Sequence, residues 1–493
     1  MVRSNEKGIA MILALFLVLA ASVLGSSLIF VSQTETMSSM NYRLMSQARY
    51  GAESGVHKAA NYLLNTYAPP GTVGDPLANY VTTVSPVTYN GNPVVLSSDP
   101  AVASNYPVAA VRTAFLAAAQ GTLDVNVGAV TYTAHATLRS MRQITDVYSG
   151  ASVTLQTWDI TGDGKIGVTR PAQVEVLATI ERQTTPVYSY AAFATNNGCG
   201  ALSFAGGATT NSYDSTAALV GGVPATVNSG GNVGTNGNLT DVGNTTVING
   251  MLSTPRTGVG ACTATNVTAE TLGNGATVSG GLNQLSQAVA YPTPATPNPL
   301  PPLTAESFTQ NGGCPASVAN CAVSPDGATI TPAPGIVETL GDVTTNGNAV
   351  LHLRVGTYVI NSLTQNGSSQ IVIDSGPVVI QIAGKDSSGG YLATPLTING
   401  NGISNPSYSP NNLEFIYAGG GQLKLAGGDT TAALVYAPNA TATFTGGADL
   451  YGAVIVNQVT ATGGAVIHYD RHLQTSAVTA GNYMMSTFTW KSY

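Results

Sequence analysis

Charge is what this 493-residue chain has least of. Asp, Glu, Lys and Arg make up 8% of it, against roughly 25% in an ordinary soluble domain. With a net charge of −7 and a pI near 5.1 it lacks the basic footprint that a nucleic-acid partner requires. Cysteine is scarce as well. The four residues Cys199, Cys262, Cys314 and Cys321 form no Cys-x-x-Cys pair and have no pair of His nearby, which argues against structural zinc. Disorder does not follow from the low charge, because disordered chains are poor in aromatic and β-branched residues. This chain holds 22 Tyr with recurrent Val, Ile and Leu, and its length has room for about two or three domains.

The sharpest absence is local. No charge occurs in residues 9–34, a run longer than the roughly 20 residues that carry a helix across a bilayer. A secretory signal has a shorter apolar core of about 7–15 residues; Ala20-Ala21-Ser22 imitates its cleavage site, but the length favours a membrane span. Arg3 and Lys7 precede the run, so the positive-inside bias keeps the N-terminus cytoplasmic and sends the rest outward. Residues 36–67 contain no proline and repeat apolar residues at near-helical spacing (Met37, Met40, Leu44, Ala48, Val56, Ala59, Leu63). Glu35, Arg43, Arg49, Glu53 and Lys58 fill the other faces. One helix is therefore expected from the span to Pro69-Pro70, roughly 85 Å long at 1.5 Å per residue.

A basic leader ending in Lys7-Gly8, an immediate apolar helix and the stretch ARYGAESGVHKA (48–59) together resemble the N-terminus of PilX-type minor pilins of type IV pili. GspK-type pseudopilins of type II secretion share the plan. The resemblance implies that a prepilin peptidase cuts between Gly8 and Ile9, that Ile9 becomes the N-methylated mature N-terminus, and that other pilins pack on the helix. It also implies a cytoplasmic-membrane location before assembly and an extracellular pilus after it. Major pilins carry Glu at the fifth mature position, which here is Leu13; that departure favours a tip or priming position over the repeating shaft.

Residues 68–197 read as an α+β region. A short helix is expected over 108–121, and 129–144, 152–160 and 173–183 alternate as half-buried antiparallel strands do. In the last of these Val174, Val176, Ala178 and Ile180 face one way. His135 reads as an ordinary strand residue. The segment DITGDGKIG (159–167) has Asp159, Thr161 and Asp163 at i, i+2 and i+4 before Gly164, as in the first half of a calcium loop. The twelfth position is Arg170 where an acid is needed, and Asp-Gly is equally a hairpin signal. The hairpin turn is the first reading and Ca2+ the second; no other cofactor is indicated.

From Gly198 the texture changes. Asn-Gly steps recur at Asn236, Asn249, Asn274, Asn346, Asn366 and Asn399, with short Val/Ile runs between them. Asn346 to Asn366 is one interval of 20, and Gly427, Gly446 and Gly463 are spaced similarly. About that many residues make one coil of a parallel β-helix, with Gly or Asn at corners that need positive φ. Residues 198–475 are thus expected to be a Gly/Asn-rich solenoid, with an irregular β-sandwich as the alternative and 476–493 as a C-terminal tail. The proline-rich stretch 291–303 cannot supply ladder donors and is read as a strap between coils. Within 410–473, YAPNA (436–440), GGADLYGAVIV (446–456) and IHYD (467–470) are similar to a β-helical module found after PilX-type helices in bacterial surface proteins.

All four cysteines lie on the outward side of the span, where two disulfides are expected. Three pairings exist; Cys314 with Cys321 closes the smallest loop, leaving Cys199 with Cys262. IHYDRHL gathers His468, Asp470, Arg471 and His472, which reads first as a polar cap closing the last coil and second as acid–base or metal chemistry. Asp374, Asp429 and Asp449 are scattered singly, so no catalytic constellation is expected. The function read from sequence is a non-enzymatic minor pilin at or near a pilus tip, its β-helix serving adhesion or assembly through a surface or glycan receptor. A membrane-anchored polysaccharide enzyme and a secretion pseudopilin are the alternatives.

Overall fold

The computed structural model describes every residue except 1–5, 72–73, 126–127, 146–151, 168–170, 244, 274, 400, 427–430, 476–477 and 493. Arg3, Arg170, Asn274, Gly427 and Asp429, used above, lie outside the described residues. The fold is mainly β with a long N-terminal helix, in two compact units.

The first unit comprises residues 1–145, 151–184 and 480–493. Helix α1 (Glu6–Asn65) runs unbroken, as the absence of proline allows. Its first half is exposed, from Ile9 through Phe30. From Ala48 on, one stripe (Ala48, Ala52, Val56, Ala59, Leu63) is fully or almost fully buried against an antiparallel sheet. Met37 and Met40, expected on the buried face, are exposed, because the sheet begins to cover the helix only near Leu44. The sheet contains β1 (Val95–Ser97), β2 (Gly121–Val125), β3 (Gly128–Thr145), β4 (Ser152–Ile166) and β5 (Ala172–Pro186). β1, β2 and β4 pair antiparallel with β3, and β5 with β4. A short helix α2 (Ala109–Ala118) precedes β2. Val174, Val176, Ala178 and Ile180 of β5 are buried together. Residues 478–492, expected as a tail, instead form a strand beside β5. The alternation there is too weak to read, and the strand is held by tertiary packing: Tyr483 Oη donates to Gln156 Oε1 at 2.9 Å.

The second unit, residues 146–150 and 185–479, is a parallel β-helix. Its first coil is Ala192–Ala194, Leu202–Ala205 and Thr209–Tyr213. The second (Val233–Thr235, Leu239–Val242, Val247–Ile248) stacks on it in parallel register, and the third (Leu252–Thr254, Glu270–Leu272, Thr277–Val278) on the second. Leu282–Gln284 begins a fourth. The chain then resumes at Ala305–Thr309 and climbs back through strands around 337–353, 356–373, 378–404, 413–426 and 431–445 to 449–470. That last coil pairs with the first: Val454 opposes Ala192, Val459 opposes Leu202, and Ile467 opposes Thr210. Along the solenoid axis the C-terminal half therefore precedes the N-terminal half.

The proline-rich stretch connects the two far ends. Ten steps of about 4.8 Å separate the coil at 305 from that at 284, close to 50 Å. About 20 residues of extended chain at 3.1 Å each reach that distance. The strap runs down one side: Val289 exchanges two hydrogen bonds with Asn236, the Tyr291 ring packs on Phe193, and Pro292 O accepts from Tyr436 Oη. Pro294, Pro297 and Pro301 are buried, near the three-residue period of a polyproline helix. Corner turns stack as well. Gly347 and Gly367 both have φ of +67°, and Asn366 Nδ2 donates to Asn346 Oδ1 at 3.2 Å.

Candidate functional site

The helix is the first candidate, and its chemistry is set by small residues. Even-numbered positions of β4 face α1, and two of them are Gly162 and Gly164. A Cβ on Gly164 would overlap the Ala48 carbonyl oxygen, and one on Gly162 that of Ala52. On the helix side a Cβ on Gly51 would lie 2.5 Å from Val130 Cγ1, and on Gly55 2.8 Å from Thr133 O. Backbone thus rests on backbone, and the YGAESG stretch is the helix half of that seam. The half that stays uncovered presents Ile9, Leu13, Phe16 and Phe30, each more than 60% exposed, on a helix long and apolar enough to cross a membrane. Gly8 lies within α1 directly before this face.

Asp159, Thr161 and Asp163 lie within strand β4, neither in a turn nor in a calcium loop. At about 3.4 Å per residue the two carboxylates' backbones are some 13 Å apart, too far to share an ion. Asp159 accepts from Arg139 Nη1 and Thr179 Oγ1, each at 2.6 Å. Asp163 Oδ2 accepts from Gln173 Nε2 at 2.7 Å, and burial pushes its carboxyl up. Among the described residues no group of three or more His, Cys, Asp or Glu is placed to hold a metal. The Asp-Gly signal misled because these glycines serve the helix contact. His135 lies in β3 opposite Thr161, its pKa lowered by burial.

In the solenoid both disulfides are formed, Cys199–Cys262 and Cys314–Cys321. The first ties the loop carrying Gly258–Gly260, which bonds over the edge strand at Glu270, back to the first coil. The IHYDRHL residues are brought to the junction of the last and first coils. His468 is 6% exposed, stacks on Tyr451 at 4.2 Å and donates through Nδ1 to Asn211 Oδ1 at 2.6 Å. Burial lowers its pKa to about 4, so the ring is neutral. Asp470 is fully buried, its Oδ1 accepting from the amides of Ser215 and His472. His472 is exposed on a 3-10 turn and meets Asp470 through its backbone amide.

One cluster escaped the sequence. His352 lies between two carboxylates, with Nδ1 2.8 Å from Asp374 Oδ1 and Nε2 3.3 Å from Asp326. Arg354 Nε reaches Asp374 Oδ2 at 3.5 Å. Burial works to lower the His352 pKa, but the two carboxylates outweigh it and hold the ring above its ordinary value. The three residues sit on successive coils; a coil period of about 20, applied to Asp374, would have found His352 one turn back.

Residues 7–57 match the family model described as PilX N-terminal, and residues 332–476 match one described as a domain of unknown function (DUF7305). The chain thus carries the N-terminal helix of the PilX-type minor pilins of type IV pili. Among solved structures, the competence-associated pilin ComZ from Thermus thermophilus is similar at 15% identity and a TM-score of 0.23, over 91% of this chain and 98% of that one. No curated protein matches the chain.

Proposed function

We propose that the protein is a minor pilin incorporated in few copies at or near the tip of a type IV pilus, displaying its β-helix for adhesion or pilus assembly without catalysing a reaction. The observation that carries this reading is α1: one half packed backbone to backbone on a sheet, the other half an uncovered apolar rod from Ile9 to Phe30. Such a surface is stable only in lipid or against like helices. The proposal includes a cytoplasmic N-terminus, a single span before assembly, prepilin-peptidase cleavage between Gly8 and Ile9, and N-methylation of Ile9. Leu13 supports the tip position, since an apolar side chain leaves no unpaired carboxylate at a filament end, where no neighbour's amine awaits it. Immunogold labelling of sheared pili tests the placement: label at tips is expected, and uniform label along shafts would overturn it. N-terminal sequencing should find Ile9 first; a mature chain starting after Ala21 would remove the pilin reading altogether. Loss of a polysaccharide-cleaving activity on changing His468 or Asp470 would give the case to an enzyme.

A further inference from the structure

Among the described residues, neighbouring coils of the solenoid follow one another in sequence, with one exception. The exception is the junction of 449–470 with 192–213, where the covalent connection runs instead through the strap around both far ends. Opening between any other pair requires a coil to unwind, whereas opening here leaves both halves wound and parts one coil-to-coil ladder together with the side-chain and strap contacts that cross it, such as Thr195 Oγ1 on Pro438 O and Tyr291 between Phe193 and Tyr436.

This junction is also where IHYDR converges. Four consecutive residues each bond across it. His468 donates to Asn211 Oδ1, Tyr469 Oη donates to Tyr188 O at 2.8 Å, Asp470 accepts from the Ser215 amide at 3.0 Å, and Arg471 Nη1 donates to Ser212 Oγ at 2.8 Å. Tyr451 of the last coil packs edge-on against Tyr213 of the first at 5.3 Å. The backbone ladder crosses beside them, with Thr195 N on Val456 O and Val454 N on Ala191 O. The match to the domain of unknown function ends at residue 476, just past these residues, so that module stops where the junction stops.

We propose that the β-helix is two half-solenoids docked on one another, and that His468, Tyr469, Asp470 and Arg471 are the lock that holds this seam shut. The polar set is thus an intramolecular docking site whose partner is the first coil of the same chain with its flanking residues Tyr188 and Ser215, and the solenoid opens there before any other coil parts. This inference does not depend on the pilin reading.

Hydrogen–deuterium exchange on the full chain in detergent tests it. Arg471→Ala and His468→Ala should speed exchange of seam amides in 192–213 and 449–470 by on the order of tenfold to a hundredfold, the range for losing one buried or charged hydrogen bond. Amides of the 356–382 ladder should change less than about twofold, as expected for a lesion confined to one interface. If either variant fails to fold, Asn211→Ala and Ser212→Ala place the lesion on the opposite coil and should give the same pattern. Uniform acceleration through all coils, or an unchanged seam, would overturn the proposal.

Discussion

Replacing Gly164 by alanine separates two physical accounts of the same glycine. By intrinsic preference, glycine inside a strand costs roughly 0.5–1 kcal/mol relative to alanine, so the substitution should stabilise the first unit. The geometry predicts the opposite. The new Cβ meets the Ala48 carbonyl and the Ala52 amide, both backbone, and no rotamer can relieve the overlap. To regain ordinary contact near 3.5 Å, α1 would have to lift from β4 by about 1.5 Å. A gap of even 0.5–1 Å forfeits a quarter to a half of the dispersion energy across it. The helix stripe of Ala48, Ala52 and Val56, all fully buried, would loosen together, and overpacking of this kind costs about 1–3 kcal/mol. With no flexible side chain to yield, the upper end applies, a net change near 3 kcal/mol. Trp158 is fully buried in the same sheet and reports this unit by fluorescence. At urea slopes of about 1–3 kcal/mol/M the midpoint should fall by about 1–3 M. Thr161→Ala, on the opposite face of β4, should shift it by little. A Gly164→Ala midpoint equal to or above wild type would refute the close-contact account.

Two of the solenoid's three histidines, His352 and His468, should titrate with opposite signs. The His352 pKa is raised, so its stabilisation is complete below about pH 6.5 and is lost as pH climbs through the raised value; His352→Gln should abolish a fall in solenoid stability above neutrality. The His468 pKa is lowered to about 4, so its neutral, buried form is favoured at neutral pH and stability drains as pH falls from about 6.5 toward 4; exchange at the seam amides should quicken over that window and not in His468→Gln. Cys262→Ser should release the loop over Glu270 and, with the cysteines 63 positions apart, cost up to about 4 kcal/mol by loop entropy, read as lost amide protection at Gly260 and Ala269. Adding millimolar Ca2+ or EDTA should leave the Trp158 unfolding midpoint unchanged, because Asp159 and Asp163 already bond to Arg139, Thr179 and Gln173; a clear rise with Ca2+ would contradict that assignment.

The sequence by itself determined what is local or periodic. An uncharged run followed by proline-free amphipathic spacing dictates one long helix, since neither property depends on distant residues. Asn-Gly corners a coil apart dictate a solenoid, because each coil repeats the same inward Val/Ile and positive-φ requirements. Tertiary structure alone decided which distant segments meet. Nothing local in Gly162-Asp163-Gly164 distinguishes a turn from a strand; only a helix lying on it, with Ala48 and Ala52 pressed against its backbone, makes the glycines a packing device. The C-terminal strand pairs beside a strand about 300 residues earlier, and weak alternation gives no hint of it. The axial order of the coils was equally hidden, since parallel ladders accept neighbours from anywhere in the chain. Stacking the last coil on the first turned IHYDR from a suspected terminal cap into an internal junction, and the strap's length is what that order requires.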